Sequence, residues 1–282
     1  MKTVLETLQR GTDYLEKRGV DSARLNMQLM LADVLGCTKL ELYMQFDRPL
    51  EEKELAPLRD LLKRRGKREP LQHVLAKAEF FGQQFKSDKR ALIPRPETEE
   101  LVELLTKTPP YLPAKGWVID VGTGSGVIGL SLAKAWQDKD LQFLLIDQNE
   151  AALSLAKENA LDLASPSVNF QCGDLLESCD QQAHLIVANL PYIPTHEIAE
   201  LSAEVQHDPN TALDGGADGL DLIRTLVTQA HSCLVQGGLL ALEIGIDQAQ
   251  KGMDLLANES YKNVEIRSDL SGVERFLLAN KA

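Results

Sequence analysis

Apolar residues over the first seventy positions recur every three or four places. Val4, Leu5, Leu8 and Leu15 share one helical face. Leu25, Leu29, Ala32 and Leu35 make a second helix, which Asp21 or Ser22 caps and Gly36 closes. Leu55, Leu58, Leu61 and Leu62 mark a third, ending near Gly66. No strand pattern interrupts them, so residues 1–70 read as a small helical bundle. Over residues 71–93 the pattern changes. The stretch AEFFGQQFKSDKRALI alternates around a central glycine and predicts a hairpin linker. After Pro94-Arg95-Pro96-Glu97 a helix carries Leu101, Val102, Leu104 and Leu105, and Pro109 to Pro113 form a loop.

From Trp117 onward short apolar runs alternate with helical stretches. The strands predicted are Trp117–Val121, Gln142–Asp147, Val168–Cys172, His184–Ala188, Leu239–Glu243, Val264–Arg267 and Arg275–Ala279. Helices Val127–Ala135, Glu150–Ala160 and Leu220–Leu234 separate several of them. This alternation predicts an α/β domain over residues 94–282, with a doubly wound, mostly parallel sheet covered on both faces. Ligands of such a sheet bind beyond the C-terminal strand ends, near the switch in strand order.

Charge changes the picture by region. Of 282 residues, the first 75 hold fourteen Lys and Arg against twelve Asp and Glu. The remainder holds sixteen against thirty and carries the acidity behind the net charge of −12. Such a domain repels phosphate backbones, so no direct nucleic-acid partner is expected. The basic run Lys63, Arg64, Arg65, Lys67 and Arg68 suits a solvated helix end or a docking patch. No apolar run nears the roughly 20 residues that span a bilayer, so no membrane partner is expected. The start of the chain has no apolar signal core, and Cys37, Cys172, Cys179 and Cys233 form no C-x-x-C pair. Both features point to a cytoplasmic protein with reduced thiols. The five histidines show no ligand spacing, and no metal site is expected.

The first strand of the domain runs into Gly122-Thr123-Gly124-Ser125-Gly126, with a helix behind it. Small residues there let the backbone turn tightly and approach a ligand, and the helix N-terminus adds free N–H groups. Gly124-x-Gly126-x-x-Gly129 fits a dinucleotide loop, whereas Gly122-x-Gly124-x-Gly126 fits one for S-adenosylmethionine. Asp147 ends the next strand, placed to accept both ribose hydroxyls or to cap the helix that follows. After the third strand, Asp174 could meet an adenine amino group and Leu175 could pack on the ring. These residues indicate an adenosine cofactor without choosing which.

The fourth strand, expected beside the first, ends in Asn189-Leu190-Pro191-Tyr192-Ile193-Pro194. An amide or aromatic amine nitrogen is a poor nucleophile because its lone pair is delocalised. It has to be held with both N–H bonds on acceptors. The side-chain oxygen of Asn189 and the backbone carbonyl of Leu190, restricted by Pro191, supply two, and Tyr192 can stack on the planar group.

At these residues the chain resembles the protein-glutamine N5-methyltransferases of the HemK/PrmC type. The likeness rests on EPLQHVLAKAEFFGQQF (69–85), LIPRPETEELVE (92–103), DVGTGSGVIGL (120–130), NLPYIP (189–194), ALDGGADGLDLI (212–223) and LALEIGIDQ (240–248). It implies methylation of the glutamine in the Gly-Gly-Gln motif of peptide chain release factors, with S-adenosylmethionine as cofactor. A nucleic-acid adenine N6-methyltransferase, which uses a similar loop, is the alternative. The resemblance implies a seven-stranded, class I methyltransferase-like domain behind a helical domain, residues 1–70, that helps hold the release factor. By position it makes Gly122, Thr123, Gly124, Ser125, Gly126, Asp147 and Asn189 cofactor contacts, and Asn189 through Tyr192 the glutamine clamp. Relatives usually have proline where this chain has Leu190, and often tryptophan where it has Leu175.

Overall fold

The computed structural model describes residues 2–164 and 168–282; Met1 and residues 165–167, which fall within the first and third predicted regions, lie outside the described residues. The chain divides into two compact units, one of Met1–Lys77 with Ser202–His207, the other of Ala78–Leu201 with Asp208–Ala282.

The first unit is helical: α1 (Val4–Glu16), α2 (Ala23–Leu35), α3 (Lys39–Met44), α4 (Glu52–Arg65) and α5 (Leu71–Leu75). Its core joins Val4, Leu8, Leu15, Met27, Met30, Leu31, Leu42, Leu50 and Leu58. Two helices start with a reciprocal capping box, Thr3 with Glu6 and Thr38 with Glu41. Gly36 closes α2 in the left-handed conformation, whereas Ser22 occupies its N-cap without a side-chain hydrogen bond. The basic run ends α4, and its three arginines are paired rather than free. Arg64 pairs with Glu69, and Arg65 and Arg68 both donate to Glu204, so only Lys63 and Lys67 of the five are exposed. The carboxyl of Glu204 is held down at about 2, chiefly by the hydrogen bond from Arg68.

The second unit carries a hairpin, β1 (Lys77–Phe80) and β2 (Gln83–Lys86), and a seven-stranded sheet. Its strands are β3 (Trp117–Val121), β4 (Gln142–Asp147), β5 (Val168–Cys172), β6 (Ala183–Asn189), β7 (Leu234–Glu243), β8 (Tyr261–Ser268) and β9 (Glu274–Lys281). They lie in the order β5-β4-β3-β6-β7-β9-β8, with β9 antiparallel to both neighbours. Alternation along the strands builds two cores. Ile119, Val121, Leu144, Ile146, Ile186 and Leu240 pack under α9 (Asp221–Cys233) and α10 (Ala249–Asn258). Val118, Phe143, Leu145, Leu185, Val187 and Ala241 pack under α6 (Pro96–Lys107) and α7 (Val127–Ala135). With α8 (Glu150–Asp162) following β4, the helical stretches fall where the sequence places them. Among the described residues no helix is long and apolar enough to cross a membrane.

The switch in strand order lies at β3, which pairs with β4 on one side and β6 on the other. Register puts Val121 beside Ile146 and Ala188, so the loops after β3, β4 and β6 leave the sheet side by side.

Candidate active site

The loop after β3 is a backbone device. Gly122, Gly124 and Gly126 have φ of +69°, +56° and +86°, where side chains are strained. Gly129 serves packing instead: a Cβ there would sit 2.7 Å from Leu145, so α7 could not lie as close to β4. The third glycine of the dinucleotide pattern thus has a structural reason independent of any ligand. Asp120, which the sequence reading overlooked, ties the loop from beneath. Its Oδ2 accepts from the Thr123 hydroxyl at 2.6 Å and the Gly129 amide at 2.9 Å. Burial pushes this carboxyl up to about 6, with a smaller push from the charge of Asp147.

Asp147 is not the cap of α8. Asn149 is, accepting from the Ala151 amide. The Asp147 oxygens instead take one backbone N–H each, from Gly124 and Asn149, both at 2.8 Å. Two oxygens with about four acceptor sites keep lone pairs for a ligand. Burial raises this carboxyl above the ordinary aspartate range.

One cavity brings the predicted residues together. Its wall includes Gly122, Thr123, Gly124, Ser125, Asp147, Asp174, Leu175, Asn189, Leu190 and Pro191. Gly126 and Tyr192 stand outside that wall. Gly126 is the N-cap of α7 and packs on Leu130 and Ala156; the Tyr192 ring lies against Gly245. The Asp174 side chain is exposed at the rim, whereas Leu175 is buried with φ at +50°. The buried hydroxyl of Ser125 has no hydrogen-bond partner although its residue borders the cavity. Left-handed glycines, spare lone pairs on Asp147 and an unpaired hydroxyl suit an adenosine-bearing ligand.

The loop after β6 is braced from behind. Leu190 is 3% exposed, and its side chain fills the space a Cβ on Gly122 would need. Ile193 bridges to Asp214, with the Ile193 amide donating to Leu213 and the Gly215 amide to Ile193. A Cβ on Gly215 would lie 2.7 Å from the Pro191 carbonyl, and one on Gly219 would collide with that of Tyr192. Gly215 of the Asp214-Gly215-Gly216 turn and Gly219 therefore let this loop pack. Gln248 closes the brace, donating to the Tyr192 carbonyl at 2.9 Å while accepting from the Gly245 amide at 2.8 Å.

Behind Asn189 runs a buried polar chain that sequence reasoning missed. The Asn189 side-chain amide donates to the Thr98 hydroxyl at 2.9 Å, which donates to Glu243 Oε2 at 2.7 Å. Asn189 and Glu243 are register partners at the ends of β6 and β7. Burial pushes Glu243 up to about 7, partly offset by the Thr98 hydrogen bond and the charge of Arg275. Burial also pushes the Tyr192 phenol up to about 12, with Glu243 adding to the shift. Arg95 borders the cavity one residue before α6, held by buried Asp208 at 2.6 Å. The first-turn acids Glu97 and Glu99 do not form its wall.

Comparison with known proteins agrees with this geometry. Residues 6–75 match the family model described as the PrmC N-terminal domain, and residues 96–272 that of the methyltransferase small domain. The chain is 39% identical over 275 residues to the release factor glutamine methyltransferase of Geobacter sulfurreducens, spanning 97% of this chain and 95% of that one. It is 38% identical to the protein of the same name from Deinococcus radiodurans, over 98% of both. A solved methyltransferase structure from Pyrococcus furiosus superposes with a TM-score of 0.54 at 17% identity, covering 72% of this chain and 90% of that one, which shows the fold.

Proposed function

The chain belongs to the release factor glutamine methyltransferase family, and on that premise we propose how its own residues carry the reaction. It transfers a methyl group from S-adenosylmethionine to the side-chain nitrogen of a glutamine in peptide chain release factors. The bound cofactor supplies the activated methyl carbon.

In this reading Gly122 through Ser125 cradle the cofactor, Gly126 turns the chain into α7 behind them, and Asp147 accepts from the ribose hydroxyls. Asp174 and Leu175 hold the adenine. Asn189 Oδ1 and the Leu190 carbonyl accept the two N–H bonds of the substrate amide and orient its nitrogen, while Pro191 limits the loop and Tyr192, its ring packed on Gly245 outside the cavity wall, anchors it from behind. Positioning provides most of the rate, since the reactivity belongs to the cofactor. No strong general base is needed if the proton leaves after transfer. Residues 1–70 hold the release factor, whose Gly-Gly-Gln segment presents the glutamine. A substrate that belongs to translation supports a cytoplasmic location.

One observation carries the reading: Asp147 and Asn189 stand on one cavity wall, on strands flanking β3. The test is to incubate the protein with a labelled methyl donor and either a release factor or duplex DNA, then locate the label by mass spectrometry. Label on the glutamine side chain is the expected result. Label on adenine of the DNA would replace the reading with that of a nucleic-acid enzyme.

A further inference from the structure

Two stretches, Pro94–Glu100 and Leu240–Gln248, do more than line the cavity through Arg95 and brace the clamp loop through Gln248. They meet behind Asn189 through Thr98 and Glu243. We propose that Thr98 and Glu243 are positioning residues that fix which end of the Asn189 carboxamide faces the substrate. The inference rests on the clamp described above.

The oxygen and nitrogen of a carboxamide have nearly the same shape, so packing alone does not choose between its two orientations. Hydrogen bonds do. An ionised carboxylate only accepts, so the Thr98 hydroxyl directs its single hydrogen at Glu243. Its lone pairs then face Asn189, and only the NH2 end fits there. The oxygen is left on the side where Asn189 borders the cavity. Turned over, the carboxamide would set NH2 against the substrate N–H and oxygen against the Thr98 lone pairs. Both contacts would fail together.

Burial keeps this relay one-way. Thr98 and Glu243 are 3% and 1% exposed, so bulk water does not stand in for either partner. The groups facing Glu243 are Glu97 and Thr98 from α6, Tyr192 from the clamp loop and Arg275 from β9. Arg275 and the Thr98 hydrogen bond favour the carboxylate, while burial and Glu97 oppose it.

The test uses the full-length protein with S-adenosylmethionine and a release factor, and compares Thr98→Val, Thr98→Ser, Glu243→Gln and Asn189→Ala. Thr98→Val keeps the shape and removes the hydroxyl. It should lower kcat roughly 10–100-fold, part of the effect of a lost preorganised contact, with the cofactor KM within about threefold. Thr98→Ser restores the relay and should return kcat to within about threefold of wild type. Wild-type kcat in Thr98→Val, or a Thr98→Ser variant as slow as Thr98→Val, overturns the relay. Should Thr98→Val not fold, Glu243→Gln decides: a reduced kcat whose pH dependence near neutrality has flattened supports the relay, and an unchanged kcat overturns it. If Asn189→Ala is inactive while the relay variants are normal, the relay alone is wrong. If Asn189→Ala is active, the clamp is wrong and the relay falls with it.

Discussion

The cofactor cradle and the amide clamp sit on neighbouring strand ends but are built from different materials. The cradle is mostly backbone: three left-handed glycines, a helix N-terminus and an aspartate held by two main-chain amides. The clamp is a relay of side chains, Asn189 to Thr98 to Glu243, on a loop propped by a glycine turn and Gln248. A backbone cradle tolerates different neighbours because its donors are fixed by chain direction. A side-chain relay fixes direction only if every member is present. The first construction binds; the second aims.

This contrast yields an ordered set of outcomes. The largest belongs to the clamp. Asn189→Ala should fold, bind the cofactor somewhat more weakly and lose roughly 10²–10³-fold in kcat, the scale of one preorganised donor or acceptor; steady-state kinetics with a release factor reads it. The cradle should respond in binding instead. Asp147→Ala should weaken cofactor affinity by roughly 1.5–3 kcal/mol, the range for charged hydrogen bonds, and calorimetry that finds unchanged affinity would remove its ribose role.

A smaller effect is expected from the prop. Gly219 has φ of +77° and no room for a Cβ beside Tyr192. Gly219→Ala should lower kcat roughly tenfold and stability by roughly 1–3 kcal/mol, with cofactor affinity nearly intact. Calorimetric titration and thermal melts on one preparation separate the three.

The smallest effect is a pH limb. Glu243 is pushed up to about 7 in the folded protein, from an ordinary value near 4.5. Because the folded value is the higher one, its contribution to stability is present below pH ~4.5 and is lost as pH rises through about 7. Activity runs the other way, since the relay needs the carboxylate. Between pH 5.5 and 8, kcat should therefore rise several-fold while the Glu243 part of stability falls. Glu243→Gln should flatten both, as pH-rate profiles and melts would show.

The two regions also differ in how far the sequence reveals them. The cradle announces itself, because glycines at fixed spacing after a buried strand have few other uses. The bounds of β3, β4 and β5 follow from short apolar runs. The relay is silent because its partners stand 91 and 145 residues apart and each is an ordinary helix or strand residue in isolation. Gln248 is hidden for the same reason, since Tyr192 stands 56 residues away, whereas the partners of Asp120, three and nine residues on, reach it only once the loop has folded. Two short helices also escape pattern reading. α3 spans six residues with Leu42 as its one buried side chain, and α5 spans five within the predicted linker, too few turns to show a period. The basic run misleads because Glu204, its partner, lies far along the chain.

The most direct test of the central claim is a structure of this protein with S-adenosylhomocysteine and a Gly-Gly-Gln peptide. The account predicts the glutamine nitrogen within hydrogen-bond reach of both Asn189 Oδ1 and the Leu190 carbonyl, with Asn189 Nδ2 still on Thr98. A glutamine held elsewhere, or an Asn189 side chain turned so that its nitrogen meets the substrate, would contradict it.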